Sequence, residues 1–187
     1  MSYFKQIFFY IVACLLITSC KDEVLPKPKA YLKLEYPTTT YALTESTCSY
    51  QFEKSENALI KHKKNCWMEL YYKNLNATIF ITYRPIDNNL DEVLKEAEKL
   101  TFEHTVKADA INSQAFENIE KKVYGRLYSV EGNAASNLQF HLTDSSKHII
   151  TGALYFYSKP NYDSIVPAIR YIEKDVKHLI ETFQWKN

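Results

Sequence analysis

The stretch 137–183 reads NLQFHLTDSSKHIITGALYFYSKPNYDSIVPAIRYIEKDVKHLIETF, and it decides the fold. Asn137–Thr143 and His148–Ser158 are rich in β-branched and aromatic residues, and Asp144, Ser145, Ser146 and Lys147 between them suit a tight hairpin turn. The period then changes. Ile165, Ile169, Ile172, Val176, Leu179, Ile180 and Phe183 fall on one helical stripe, with Asp163 or Ser164 as the expected cap and Pro167 in the first turn. A strand hairpin followed by a long amphipathic helix predicts an α+β fold in which an antiparallel sheet is covered by helices.

Working towards the N-terminus, Lys121–Val130 reads as a further strand, and period-two runs occur at Cys48, Tyr50, Phe52; at Cys66, Met68, Leu70, Tyr72; and at Ala77, Ile79, Ile81, Tyr83. These predict neighbouring antiparallel strands with one face buried. Leu32, Leu34 and Tyr36 alternate in the same way before Pro37. Asn89 with Glu92 forms a capping box, and Leu90, Val93, Leu94, Ala97, Leu100, Thr101 and His104 then predict a helix from Leu90 to Val106.

The first thirty residues have a different character. Lys5 precedes an apolar run from Ile7 to Ile17, which is too short to cross a bilayer and suits a signal peptide over residues 1–19. The run ends Ile17, Thr18, Ser19, Cys20, which resembles the bacterial lipobox, so Cys20 is the expected lipidation site. Residues 20–30, with Pro26 and Pro28 among lysines, suit a flexible tether, and 31–187 then form a single domain. Lys21, Asp22 and Glu23 after the anchor resemble a surface-export signal of some Bacteroidetes lipoproteins. The expected location is the cell envelope, lipid-anchored, at the outer membrane, on either its periplasmic or its surface face.

Of 23 basic residues only Lys5 leaves with the signal, so 22 acidic residues face an equal number of basic ones in the mature chain. No basic patch of the kind that binds nucleic acid is present, which excludes that partner class. Three glycines in 187 residues leave no phosphate-binding loop. With Cys20 acylated, Cys48 and Cys66 remain as a pair in an oxidising compartment. A disulfide between them would close about 17 intervening residues and stabilise the fold by about 3 kcal/mol. The chain has no CxxC.

Candidate chemistry is sparse. His62, His104, His141, His148 and His178 lack metal-ligand spacing, although His141 and His148 flank the hairpin turn. Ser136, His141 and Asp144 are the residue types of a triad but sit too close along the chain to converge, and no GxSxG elbow exists. The expectation is a chain without metal, cofactor or catalytic residues. The small-residue run Glu131, Gly132, Asn133, Ala134, Ala135, Ser136 suits close approach of a partner, and Ala134→Glu is expected to impair contact without unfolding the domain. Tyr155, Phe156, Tyr157 and Tyr162 place several aromatics at a strand end, which leaves a ligand pocket between sheet and helix as the alternative.

The stretches LPKPKAYLKLEYP (Leu25–Pro37), VKADAI (Val106–Ile111), EGNAASNLQF (Glu131–Phe140) and TGALYFYSKPNYDSIVP (Thr151–Pro167) resemble the GldD family of gliding-motility lipoproteins of the Bacteroidetes. The resemblance runs through the whole chain. It implies a non-enzymatic, membrane-anchored lipoprotein required for gliding and for the associated type IX secretion apparatus, with other proteins of that apparatus as partners. It carries no catalytic residue over. The layout also resembles the α/β/α sandwiches of PsbP and Mog1, a likeness of fold alone.

Overall fold

A computed structural model describes residues 35–103, 108–157 and 161–186, together with Tyr3. The chain divides into Met1–Tyr31 and Leu32–Asn187, and every element named below belongs to the second unit. Cys20, the signal apart from Tyr3, the tether, the run Leu32–Leu34 and His104 lie outside the described residues.

The strands are β1 (Tyr41–Leu43), β2 (Tyr50–Gln51), β3 (Glu53–Ser55), β4 (Leu59–His62), β5 (Met68–Tyr72), β6 (Ala77–Pro85), β7 (Ala108–Asn118), β8 (Val123–Gly132), β9 (Leu138–Thr143), β10 (His148–Phe156) and β11 (Gln184–Trp185). Two α-helices, α1 (Leu90–Glu103) and α2 (Tyr162–Thr182), complete the described fold. Seven strands form one antiparallel sheet in the order β4-β5-β6-β10-β9-β8-β7. Two meanders therefore meet at the β6–β10 pair, and α1 is the connection that carries the chain from the third strand to the far edge.

Register decides which side chains share a face, because a one-residue slip would invert every one of them. Met68 opposes Ile81, Leu70 opposes Ile79, and Tyr83 opposes Ile150, which aligns these with Leu154, Leu142 and Leu127 on one face. α2 covers that face with Ile169, Ile172, Val176, Leu179 and Ile180, all in the buried core. Gly152 sits opposite Phe140, where a Cβ would come within 2.2 Å of the ring, so the glycine leaves the space that the phenylalanine fills. Full burial of such side chains contributes about 1.5–3 kcal/mol each. The opposite face carries Phe80, Thr82, Arg84, Tyr128, Gln139 and His141, and α1 lies against it through Arg84–Glu96 (2.6 Å) and Tyr128–Glu98 (3.1 Å). β9 is buried along all six residues because both of its faces are covered.

At the C-terminus β11 pairs with β2, and Tyr50, Phe52, Phe183 and Trp185 pack as an aromatic cluster, with Tyr50–Phe183 centroids 5.7 Å apart. This corrects one expected pairing. The run at Cys48–Phe52 is not a neighbour of Met68–Tyr72: β4 takes that place, and residues 50–51 turn away to hold the chain's end. Residues 35–40 form no strand, and the first strand among the described residues begins at Tyr41.

β7 was not expected as a strand. Its sequence ADAINSQAFEN does not alternate, because as an edge strand it buries little on either face. Asn161, not Asp163 or Ser164, is the N-cap of α2, so Pro167 falls in the second turn. Asn89 Oδ1 accepts the Asp87 N–H ahead of α1, a turn rather than the expected reciprocal box.

Candidate functional site

The loop from β8 to β9 contains the small-residue run. Gly132 ends β8 at φ 100°, a conformation open to glycine. Ala134 N–H donates to Gly132 O (2.9 Å), and Asn137 Nδ2 donates to Val130 O (2.8 Å) and Gly132 O (3.1 Å). Asn133 Oδ1 accepts the Tyr162 N–H (2.9 Å), which fastens the loop to the start of α2. Exposure alternates: Glu131, Asn133 and Ala135 face solvent, whereas Ala134 and Ser136 are 5% and 0% exposed. Ala134→Glu would therefore bury a carboxylate and unfold the loop, contrary to its expected use as a surface probe. Ala135 is the position that tests contact.

The triad residue types do not converge. Ser136 Oγ donates to Leu138 O (3.1 Å), and Asp144 Oδ1 accepts the N–H groups of Ser146, Lys147 and His148 at 2.8–2.9 Å to build the hairpin turn. Burial pushes the Asp144 carboxyl up, but these three donors outweigh it and hold the group below the usual range. His141 pairs in register with Thr151, three residues from His148, so the two histidines emerge on opposite faces of the sheet. His148 Nδ1 meets Tyr83 OH at 2.8 Å, and His178 Nε2 meets Glu53 at 2.7 Å. Among the described residues no three His, Cys, Asp or Glu gather as a metal site.

A cavity of 270 Å³ opens between α1 and the sheet. Phe80, Tyr128 and Tyr155 supply aromatic walls, Ala97 supplies the helix side, and Thr82, Thr151, Gln139 and His141 supply polar groups. Burial holds the His141 imidazole below its ordinary range against the pull of Glu98, so it is neutral at pH 7. The Tyr128 hydroxyl, desolvated by burial and donating to Glu98, is pushed up to about 12. The described lining holds no carboxylate and no permanent cation, which suits an uncharged apolar occupant. A pocket between sheet and helix is the alternative that the sequence offers, and of the aromatics that suggest it Tyr155 lines this cavity; the rest of the lining escapes the sequence because the strand patterns are read for one buried face, and this cavity uses the alternate residues.

A second polar cluster was also not foreseen. Asp175 lies in α2 at 3% exposure and accepts hydrogen bonds from Tyr41 OH (3.0 Å) and Tyr72 OH (3.1 Å). Next to it Tyr171 OH accepts from Thr39 and Asn57 and donates to Pro37 O (3.2 Å), while its ring stacks on Tyr36 at 4.8 Å. The segment entering the domain is thus fastened to the middle of α2. A signal was present in the sequence: Asp175 is a carboxylate in phase with the apolar stripe.

The structure brings Cys48 and Cys66 together, with their sulfurs bonded and Cα atoms 5.5 Å apart. Neither lies in a strand; Cys48 precedes β2 and Cys66 closes a short 3-10 turn over Lys64–Cys66. No described helix is long and apolar enough to cross a membrane. No curated protein matches the chain. A family model described as "Gliding motility lipoprotein GldD" matches residues 21–185, which takes in every strand and helix described above. The chain therefore belongs to the gliding motility lipoprotein GldD family.

Proposed function

We propose that the protein is a non-enzymatic lipoprotein, anchored through acylated Cys20 in the outer membrane, that serves gliding and the associated type IX secretion apparatus through contacts with other proteins of that apparatus. One observation supports the absence of catalysis: of the triad residue types Ser136 and Asp144 are engaged in the fold, and His141 stands apart from both in the wall of the cavity. Asp144 builds a turn, Ser136 binds its own loop, and His148 and His178 hold neighbouring elements. The PsbP and Mog1 type of sandwich is kept as a proposal of fold alone, and it adds nothing on function. Single changes His141→Ala, His148→Ala, Asp144→Ala and Ser136→Ala should leave spreading and secretion intact wherever the protein accumulates normally. Ala135→Glu should impair both at normal abundance. One of the four alanine variants losing spreading at wild-type abundance, with the fold intact, would overturn this reading.

A second reading, binding of a small uncharged molecule, is favoured by the cavity beneath α1. Ala153→Phe fills that space from the sheet side. Loss of spreading in this variant, with unchanged unfolding and unchanged effect of Ala135→Glu, supports a ligand; wild-type spreading removes it.

A further inference from the structure

The large sheet ends in two unlike edges. β4 is four residues long, carries Lys61 over the Tyr71 ring at 5.7 Å, and is followed by Lys63 paired with Glu69. β7 is eleven residues long and has β8 as its strand partner on one side; its other side has no strand against it among the described residues. Exposed edges of this length are ordinarily blunted by lysine, proline, brevity or a central bulge. Between Ala108 and Asn118 there is no Lys, Arg or Pro, and the register irregularity sits at the outermost pair, Ala108/Ala110. Asn112, Ser113, Gln114 and Ala115 are all exposed. Ladder hydrogen-bonding groups thus stand open beside small or uncharged side chains, the arrangement that strand addition uses.

Charge narrows the occupant. Asp109 and Glu117 mark the two ends of the edge, and Glu131 extends the first by its bond to Asn112 (3.0 Å). At the centre Arg126 donates to Ser113 Oγ (3.2 Å). A second copy of β7 paired antiparallel over its full length, about Ser113, would set Asp109 against Glu117 twice, and like charges directly opposite are destabilising. We propose that β7 takes, as an eighth strand, an extended uncharged segment of another protein flanked by lysine or arginine. The proposal deepens the contact reading and rests on it.

The test uses the purified full-length lipoprotein in detergent and two peptides, four Thr-Val repeats flanked by lysine and the same repeats flanked by glutamate. Amide exchange over residues 108–118 should slow at least tenfold with the lysine-flanked peptide and much less with the other. Gln114→Lys, at an exposed position, should abolish the slowing without changing the unfolding midpoint. No slowing, or equal slowing by both peptides, would overturn the proposal. So would a peptide-free dimer that Gln114→Lys dissolves, since the occupant would then be a second copy. In cells Gln114→Lys should stop spreading at normal abundance. Wild-type spreading of that variant alongside impairment by Ala135→Glu would sink the edge site while leaving the contact reading in place.

Discussion

Replacing Asp175 should loosen the hold of α2 on β1 and β5, and the cost follows from who is left behind. Asp175→Ala removes an acceptor from two tyrosine hydroxyls. Tyr72 is 3% exposed and its hydroxyl loses its only hydrogen-bond partner among the described residues, whereas half-buried Tyr41 turns to water. A hydrogen bond to a charged group contributes about 1.5–3 kcal/mol, and an orphaned buried hydroxyl costs about 1–3 kcal/mol. Part of this is offset because a buried carboxylate no longer has to be desolvated. A net loss of about 2–3 kcal/mol is expected. Asp175→Asn keeps one acceptor oxygen and should lose about half as much.

The pH dependence separates the two variants from a mere packing defect. Burial raises the Asp175 carboxyl above its ordinary value, and the bonds from Tyr41 and Tyr72 pull it back only in part. The folded state therefore holds this proton more tightly than the unfolded chain does. Its contribution is fully present below about pH 4, the unfolded value, and is lost as pH rises through the raised folded value. Asparagine does not titrate, so the deficit of Asp175→Asn should shrink from pH 4 towards neutrality. Urea unfolding followed by the fluorescence of Trp67 and Trp185 measures it. Parallel pH profiles for wild type and Asp175→Asn, or a loss under about 1 kcal/mol for Asp175→Ala, would refute the reasoning.

Asp144→Ala should cost about 1–3 kcal/mol by freeing three turn N–H groups; because its folded value is depressed, the wild-type advantage is present above about pH 4 and disappears as pH falls further, which acid titration of both proteins checks. Cys48 and Cys66 should resist alkylation in denatured, non-reduced protein, and Cys48→Ser should lower stability by about 3 kcal/mol; modification of both thiols without reductant would remove the bridge. Cys20→Ala should abolish incorporation of a palmitate analogue, and equal labelling of wild type and variant would remove the anchor.

What was legible in the sequence was whatever one face of an element states by itself. The stripe from Ile165 to Phe183 announces a helix because seven apolar residues recur at the helical period, and the Asp144–Lys147 turn announces a hairpin because two aliphatic runs flank it. Pairing between distant segments was not legible. Tyr50–Gln51 pairs with Gln184–Trp185 across nearly the whole domain, and no local pattern can say so. β7 was hidden for a related reason: an edge strand that buries little need not alternate. At the loop 131–136 composition suggested openness, yet the small residues there serve burial, with Ala134 and Ser136 inside.

These placements divide the surface into two kinds of position, and the division should be visible in cells. Ser136, Ala134 and Asp175 are buried and hydrogen-bonded or packed, so substitutions there act through stability, and a loss of 1–2 kcal/mol already changes abundance several-fold. Asn133 belongs with them despite its exposure, because its side chain caps α2 through Tyr162. Ala135 and Gln114 make no side-chain hydrogen bond among the described residues and face solvent, so a charge at either alters the surface and leaves the core unchanged. Spreading plotted against protein level should therefore place the buried variants on one common curve with destabilised but otherwise normal protein. Ala135→Glu and Gln114→Lys should fall below that curve at full abundance. If all variants lie on one curve, loss of motility reduces to loss of protein, and neither the loop nor the β7 edge serves as a contact surface.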